Sequence, residues 1–537
     1  MCGINNATPD VSAKELPEDF SQKLDELDEY GVIDPRVPSK YRGTVFDQRD
    51  MQALGKVQVL RRNFKFMTML GFTSTVICTW EILLSLISFV LTDGGTANLF
   101  WGFIVCAIGL SLVYASVAEM ASMAPTAGGQ YHWVSEFAPR SIQKPLSYIV
   151  GWLSATGWQV FLASVAFIVG TIIQGLIILN NENYVYQAWH GTLLAIATIS
   201  FSIIFNTSLA SRLPLIEGIV LIIHMTGLFA IIIPLWVLAP RGNVYDVLFT
   251  FTNNGGWSST GLSAMIGLSS PFTSLIGYDC AVHMSEEVKD ASATMPKAIM
   301  WSVALNSIMG FIMAVTLIFT LGDITSILDT PTRYPFIQLF YNATRSLVAT
   351  NVMVAIIIIC LTSCCISEVA TASRQIWSFA RDKGLPFSSF LSHVTPGWNI
   401  PLRAVLVSLC ISALIACINI GSNTALNAII SLGGVSLISS YYITIACVLL
   451  KRLRGEPLPP RRWSLGRYGM AVNMLSLVFL TPIWFFYLWP IATPVTAQTM
   501  NWAVVMFGGI VIVSFTYYIV KGRHVYTGPV VLTKRDL

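Results

Sequence analysis

The 537 residues are 54% hydrophobic and only 11% charged, with a formal net charge of +4. A soluble globular chain carries about a quarter charged residues, so the composition excludes one and indicates an all-α polytopic membrane protein. The small net charge says little; where the charges fall says more.

Residues 1–60 are polar, with Glu15, Glu18, Asp19, Asp25, Glu26, Asp28 and Glu29, and read as a flexible tail without a cleavable signal peptide. Twelve stretches then supply the roughly 20 mainly apolar residues that a spanning helix needs, at about 66–91, 98–120, 145–178, 188–206, 213–239, 262–284, 298–321, 347–372, 402–420, 424–450, 469–491 and 499–520. They are called spans 1 to 12, and residues 61–520 read as one membrane domain. Residues 521–537 form a short second tail.

Spans 1 and 6 are interrupted. Span 1 contains Gly71-Phe72-Thr73-Ser74-Thr75, and span 6 contains Ser269-Ser270-Pro271-Phe272-Thr273-Ser274. Both carry Phe-Thr-Ser, two hundred residues apart, which predicts breaks at Phe72 and Phe272. Paired broken helices at matching places in two halves of a chain mark a transporter substrate site. Unwound backbone at membrane depth is tolerated only where protein or a cavity surrounds it. The alternative is that small residues merely pack helices closely.

The even span count puts both termini on one side. Loops on that side carry Lys56, Arg61, Arg62, Lys65, Arg140, Lys144, Arg212, Lys289, Lys297, Arg374, Arg381, Lys383, Arg403 and the run from Lys451 to Arg467; the opposite loops carry only Arg241, Arg333 and Arg345. This asymmetry places both termini in the cytoplasm. Asn342, in Asn-Ala-Thr, then falls outside as a glycosylation candidate. Spans 1–5 and 6–10 form two halves of odd span number, hence an inverted repeat, with spans 11 and 12 added.

Within the spans, a carboxylate is costly and is a functional candidate by default. Glu81 is read as the attractor for a positive group, or else as the cap of an outer vestibule. Trp158, Phe272 and Tyr278 could give an aromatic wall for an ammonium group. Glu217 and His224 share one face of span 5 and suggest a proton relay; a core histidine bonded to a carbonyl is the commoner reading. Glu119, Asp279, Glu286, Glu287 and Glu368 are expected near cytoplasmic helix ends, as gate or loop partners of Arg140, Lys144, Arg374 and Arg381. The ten cysteines show no zinc or disulfide spacing. No phosphate loop, catalytic set, metal site or cofactor motif is present. The basic run from Lys451 reads as a topology signal or lipid contact rather than a nucleic-acid patch.

Several motifs together resemble a known family. They are Ala118-Glu119-Met120 through Gly128-Gly129-Gln130-Tyr131, Gly157-Trp158-Gln159, Ile216-Glu217-Gly218, Ser285-Glu286-Glu287, Met295-Pro296-Lys297, and Ser373-Arg374-Gln375 through Gly384-Leu385-Pro386. Over residues 60–520 the chain resembles the fungal amino acid/choline transporter family, which includes GABA permeases, within the amino acid–polyamine–organocation superfamily. The resemblance implies a five-plus-five LeuT-like fold, alternating access, and proton-coupled import at the plasma membrane of an amino acid, GABA or choline-like solute. It implies a midplane site among spans 1, 3, 6 and 8. Thr73, Ser74, Thr75, Ser270, Phe272, Thr273 and Ser274 are expected to line it, with Glu81 at the cationic end. Two features depart from the family pattern: Thr73-Ser74-Thr75 replaces a glycine-rich break, and span 5 has no lysine. The rival readings are a vacuolar exchanger or exporter, and a nutrient sensor that binds without transporting.

Overall fold

A computed structural model describes residues 37–529 apart from 323 and 422; the acidic run from Glu15 to Glu29 lies outside the described residues. Eleven helices among the described residues are long and apolar enough to cross a membrane. Span 6 completes the set in pieces: Thr260–Gly267, Ser269–Thr273 and Cys280–His283. Helices satisfy their backbone internally, so an apolar stretch of this length has no alternative in lipid.

Span 1 occupies Phe66–Ile77, Thr79–Ser85 and Ile87–Thr92. Spans 2 to 5 are Gly95–Met123, Gln143–Asn180, Ala188–Asn206 and Leu213–Leu238. Spans 7 to 12 are Ala291–Thr320, Leu347–Arg381, Leu402–Gly421, Asn423–Leu453, Gly469–Tyr487 and Ala503–Tyr517. Span 1 packs on spans 5, 7 and 8, while span 3 packs on spans 4, 8 and 10. Small residues set the closest crossings: a Cβ on Gly170 would meet the Gly191 carbonyl oxygen at 2.8 Å. Such close approach holds membrane helices together where no hydrophobic drive exists between them.

Residues 37–60 depart from the expected flexible tail. Val45–Ala53 is a helix, begun by a capping box between Thr44 and Asp47. Asp47 also accepts from the amides of Asp290 and Ala291, at the start of span 7. Leu54 and Leu60 are buried. The segment is held where Asp47, Lys56 and Gln58 and the buried Met51, Leu54 and Leu60 meet the basic end of the bundle.

Candidate functional site

The breaks fall later than Phe72 and Phe272. In span 1 the helix continues through Ile77, and Cys78 takes the left-handed conformation (φ 43°, ψ 49°). Phe72 and Thr73-Ser74-Thr75 therefore lie inside an intact half-helix. Serine and threonine hydroxyls can bond a carbonyl of the preceding turn, so they survive in helices; the Thr73 hydroxyl donates to the Met69 carbonyl at 2.8 Å. Gly71 serves packing, since a Cβ there would lie 2.9 Å from the Glu217 carbonyl oxygen. In span 6 the chain turns from Ser274 to Asp279, with Gly277 at φ 112°, a value that favours glycine. Phe272 lies within the preceding helical turn, Ser269–Thr273, and packs on Phe479 and Tyr487.

A cavity of about 600 Å³ lies between the two breaks. Its inner wall includes Val76 and Ile77 of span 1, Ile276 and Gly277 of span 6, Trp158 of span 3 and Glu368 of span 8. It extends to Tyr186, Arg333 and Asn501 in loops at the sparsely charged end. Of the predicted residues, Trp158, Ser270 and Thr273 line it. Ser270 donates to the Leu86 carbonyl at 3.0 Å, and Thr273 pairs with the Tyr487 hydroxyl at 2.8 Å. Thr73, Ser74, Thr75, Glu81, Phe272, Ser274 and Tyr278 are not on its wall. Tyr278 packs edge-on against Tyr114, and Ser274 donates back to the Pro271 carbonyl.

Glu81 faces away from the cavity, toward span 5. Its Oε1 lies 2.7 Å from His224 Nδ1, and His224 Nε2 lies 3.2 Å from Asn306 Oδ1. The Asn306 amide in turn donates to the Ser74 carbonyl at 3.1 Å, closing a chain from span 1 through spans 5 and 7. Trp80 stacks on the imidazole at 5.8 Å. His224 thus has side-chain partners on both nitrogens rather than a backbone carbonyl. Glu217 is separate: its two oxygens accept from Thr75 and Ser367, each at 2.6 Å, linking spans 1, 5 and 8. The fold also brings ligating atoms of Cys78, Glu81 and His224 within 4.8 Å of one another, a grouping that no sequence spacing announced.

The basic end is closed by buried ion pairs. Glu287 meets Arg374 at 2.8 Å and Glu286 meets Arg381 at 2.6 Å, so both acids pair with arginines named above as candidate partners. Glu119 instead pairs with Arg452 and Arg461. Lys56 reaches Asp382 at 3.1 Å, and Arg62 reaches Asp47 at 3.2 Å. Burial opposes the charge on Glu286, yet Arg381, Lys56 and the Ala127 amide hold its carboxyl down to about 2. Burial pushes the Lys56 ammonium below its ordinary range against the pull of Asp382. Among the described residues, Asp279 and Glu368 have no such ion pair with an arginine or lysine. Asp279 accepts from Gln130 at 2.6 Å, Trp158 at 3.3 Å and Tyr441, and His283 lies 3.5 Å away. Asn342 sits half-buried in the helix Pro335–Thr344, accepting from Gln338 at 2.9 Å.

Comparison with known proteins agrees with this architecture. The chain is 31% identical to an amino acid/polyamine transporter of Macrophomina phaseolina, over 81% of this chain and 96% of the relative. It is 28% identical to the choline transporter of Saccharomyces cerevisiae, over 88% and 85% of the two chains. It is 27% identical to an amino-acid permease of Arabidopsis thaliana, over 89% and 95%. A manganese transporter of Eremococcus coleocola shares the fold at 12% identity, with a TM-score of 0.51 over 88% of this chain and 96% of that one. The profile of the amino acid permease family matches residues 64–512. The chain is therefore a transporter and belongs to the amino acid permease family.

Proposed function

We propose that the protein imports a small nitrogenous solute across the plasma membrane, driven by protons, with both termini in the cytoplasm. The cavity between the breaks of spans 1 and 6 is the observation that carries this reading. Irregular backbone at membrane depth is kept where it lines a cavity, and half-helix ends there offer unpaired backbone groups to a ligand. The cavity reaches the sparsely charged end while ion pairs shut the basic end, which corresponds to an outward-facing state in alternating access. The excess of arginine and lysine at the closed end supports the cytoplasmic assignment.

Glu81 moves in this reading from the substrate to the coupling ion. A carboxylate and an imidazole in contact inside a span suit proton transfer. Glu217 bridges three spans through hydroxyls alone, so its protonation would alter how span 1 is held. The amino acid and choline transporters among its relatives support amino acids, GABA and choline as the solutes to try.

The test is uptake into proteoliposomes of labelled choline, GABA and a panel of amino acids, with and without an inward proton gradient. Uptake of one compound, stimulated by the gradient, is the expected result. Uptake that ignores the gradient would remove the coupling, and saturable binding without uptake would favour a sensor.

A further inference from the structure

Glu368 is an intramembrane acid that the reading above leaves unused. It stands on span 8, about 20 Å before that helix ends at Arg381, by a rise of 1.5 Å per residue. Cys364, one turn earlier on the Glu368 face, contacts the Val76 carbonyl at 2.9 Å, and Ser367 beside it bonds Glu217, which also holds Thr75. Glu368 is only 3% exposed, lines the cavity, and has no hydrogen-bond partner for its Oε2 among the described residues.

Its isolation separates it from every other intramembrane acid described here. Glu81 has His224, Glu217 has two hydroxyls, Asp279 has Gln130, Trp158 and Tyr441, and Glu119 has two arginines. A buried carboxylate with no partner is costly, and a bound cation would remove that cost. Trp158 and Phe161 line the same cavity with ring centroids 6.4 Å apart, and aromatic faces hold ammonium groups without hydrogen bonds. Among the described lining residues the only cation is Arg333, whose guanidinium lies 3.6 Å over the Tyr186 ring. Tyr186 and Arg333 belong to the loops after spans 3 and 7, far along the chain from the break. The inner cavity therefore offers a carboxylate and aromatic rings to a cationic group, and no basic side chain there competes for that carboxylate.

We propose that Glu368, with Trp158 and Phe161, receives the ammonium group of the transported solute, whether an amine, a quaternary ammonium compound or the cationic end of a zwitterion. This rests on the transporter reading and assigns the group that holds the positive end of its solute.

The experiment measures labelled choline uptake into proteoliposomes and its competition by spermidine, by GABA, and by 3,3-dimethylbutan-1-ol, the neutral isostere of choline. The neutral isostere is expected to compete at least about tenfold less well than unlabelled choline. Glu368→Gln should weaken choline by a similar factor of about ten or more, with Glu368→Asp retaining part of the affinity. Should Glu368→Gln fail to fold, the isostere comparison in the unaltered protein decides alone. Uptake of choline or GABA that a folded Glu368→Gln leaves unchanged would overturn the inference while leaving transport intact. If nothing is transported, the proposed function fails, and thermal stabilisation then reads the site directly. A shift with choline or spermidine, absent with the isostere and lost in Glu368→Gln, supports it; equal shifts, or none, overturn it.

Discussion

The basic end and the midplane treat their acids in opposite ways. At the basic end Glu119, Glu286, Glu287, Asp47 and Asp382 each sit against arginine or lysine. At the midplane Glu81 has a histidine, Glu217 has hydroxyls and Glu368 has neither. A fully matched pair holds structure in one arrangement. An under-matched acid in a low-dielectric setting is free to respond to a proton or a ligand. The contrast assigns closure to one region and chemistry to the other, and substitutions can separate them.

The largest expected effect is on stability at the basic end. Glu286→Gln leaves Arg381 without its partner, and breaking a buried pair costs about 3–5 kcal/mol; thermal unfolding in detergent should show it. The same group predicts a pH effect. Its carboxyl is held down to about 2 from an ordinary 4.5, so its contribution is complete above 4.5 and is lost as pH falls toward 2. The unaltered protein should lose stability through that window more steeply than Glu286→Gln does.

Next comes Gly71→Ala, which would press a methyl against the Glu217 carbonyl and cost about 1–3 kcal/mol. A neutral result by thermal unfolding would mean that spans 1 and 5 part more easily than their contact implies. Glu81→Gln should reduce gradient-driven uptake by about tenfold, equal to 1.4 kcal/mol, and flatten its pH profile. It should leave the preference between choline and its neutral isostere intact, because Glu81 faces away from the cavity. Glu217→Gln should have the smallest effect, since the amide can still bond Thr75 and Ser367; uptake against pH would reveal any role in coupling.

Much of this fold is legible in the sequence, because a lipid-spanning helix needs length and apolar composition and little else. Every span was visible, and so was the interruption of spans 1 and 6. The position of the breaks was not. Gly71 and Thr73-Ser74-Thr75 look like a break, but the Thr73 hydroxyl closes on the preceding turn and that of Thr75 on Glu217, while Cys78, with no special composition, carries the left-handed turn. Glu368 was misplaced for a related reason. Ending span 8 at 372 put it near a helix end, but Ser373, Arg374 and Gln375 stay helical and buried, and the helix runs on to Arg381. Residues 37–60 hid behind their polarity, although Thr44-Val-Phe-Asp47 is a readable helix start. Which acid meets which base is a tertiary fact that spacing along the chain does not encode.

The most direct test sets Glu286→Gln beside Glu368→Gln, with melting temperature and choline uptake measured on both. The account predicts that Glu286→Gln lowers the melting temperature strongly, whereas Glu368→Gln keeps it and loses choline uptake. A Glu368→Gln protein that melts early, or that still prefers choline to its neutral isostere, would contradict it.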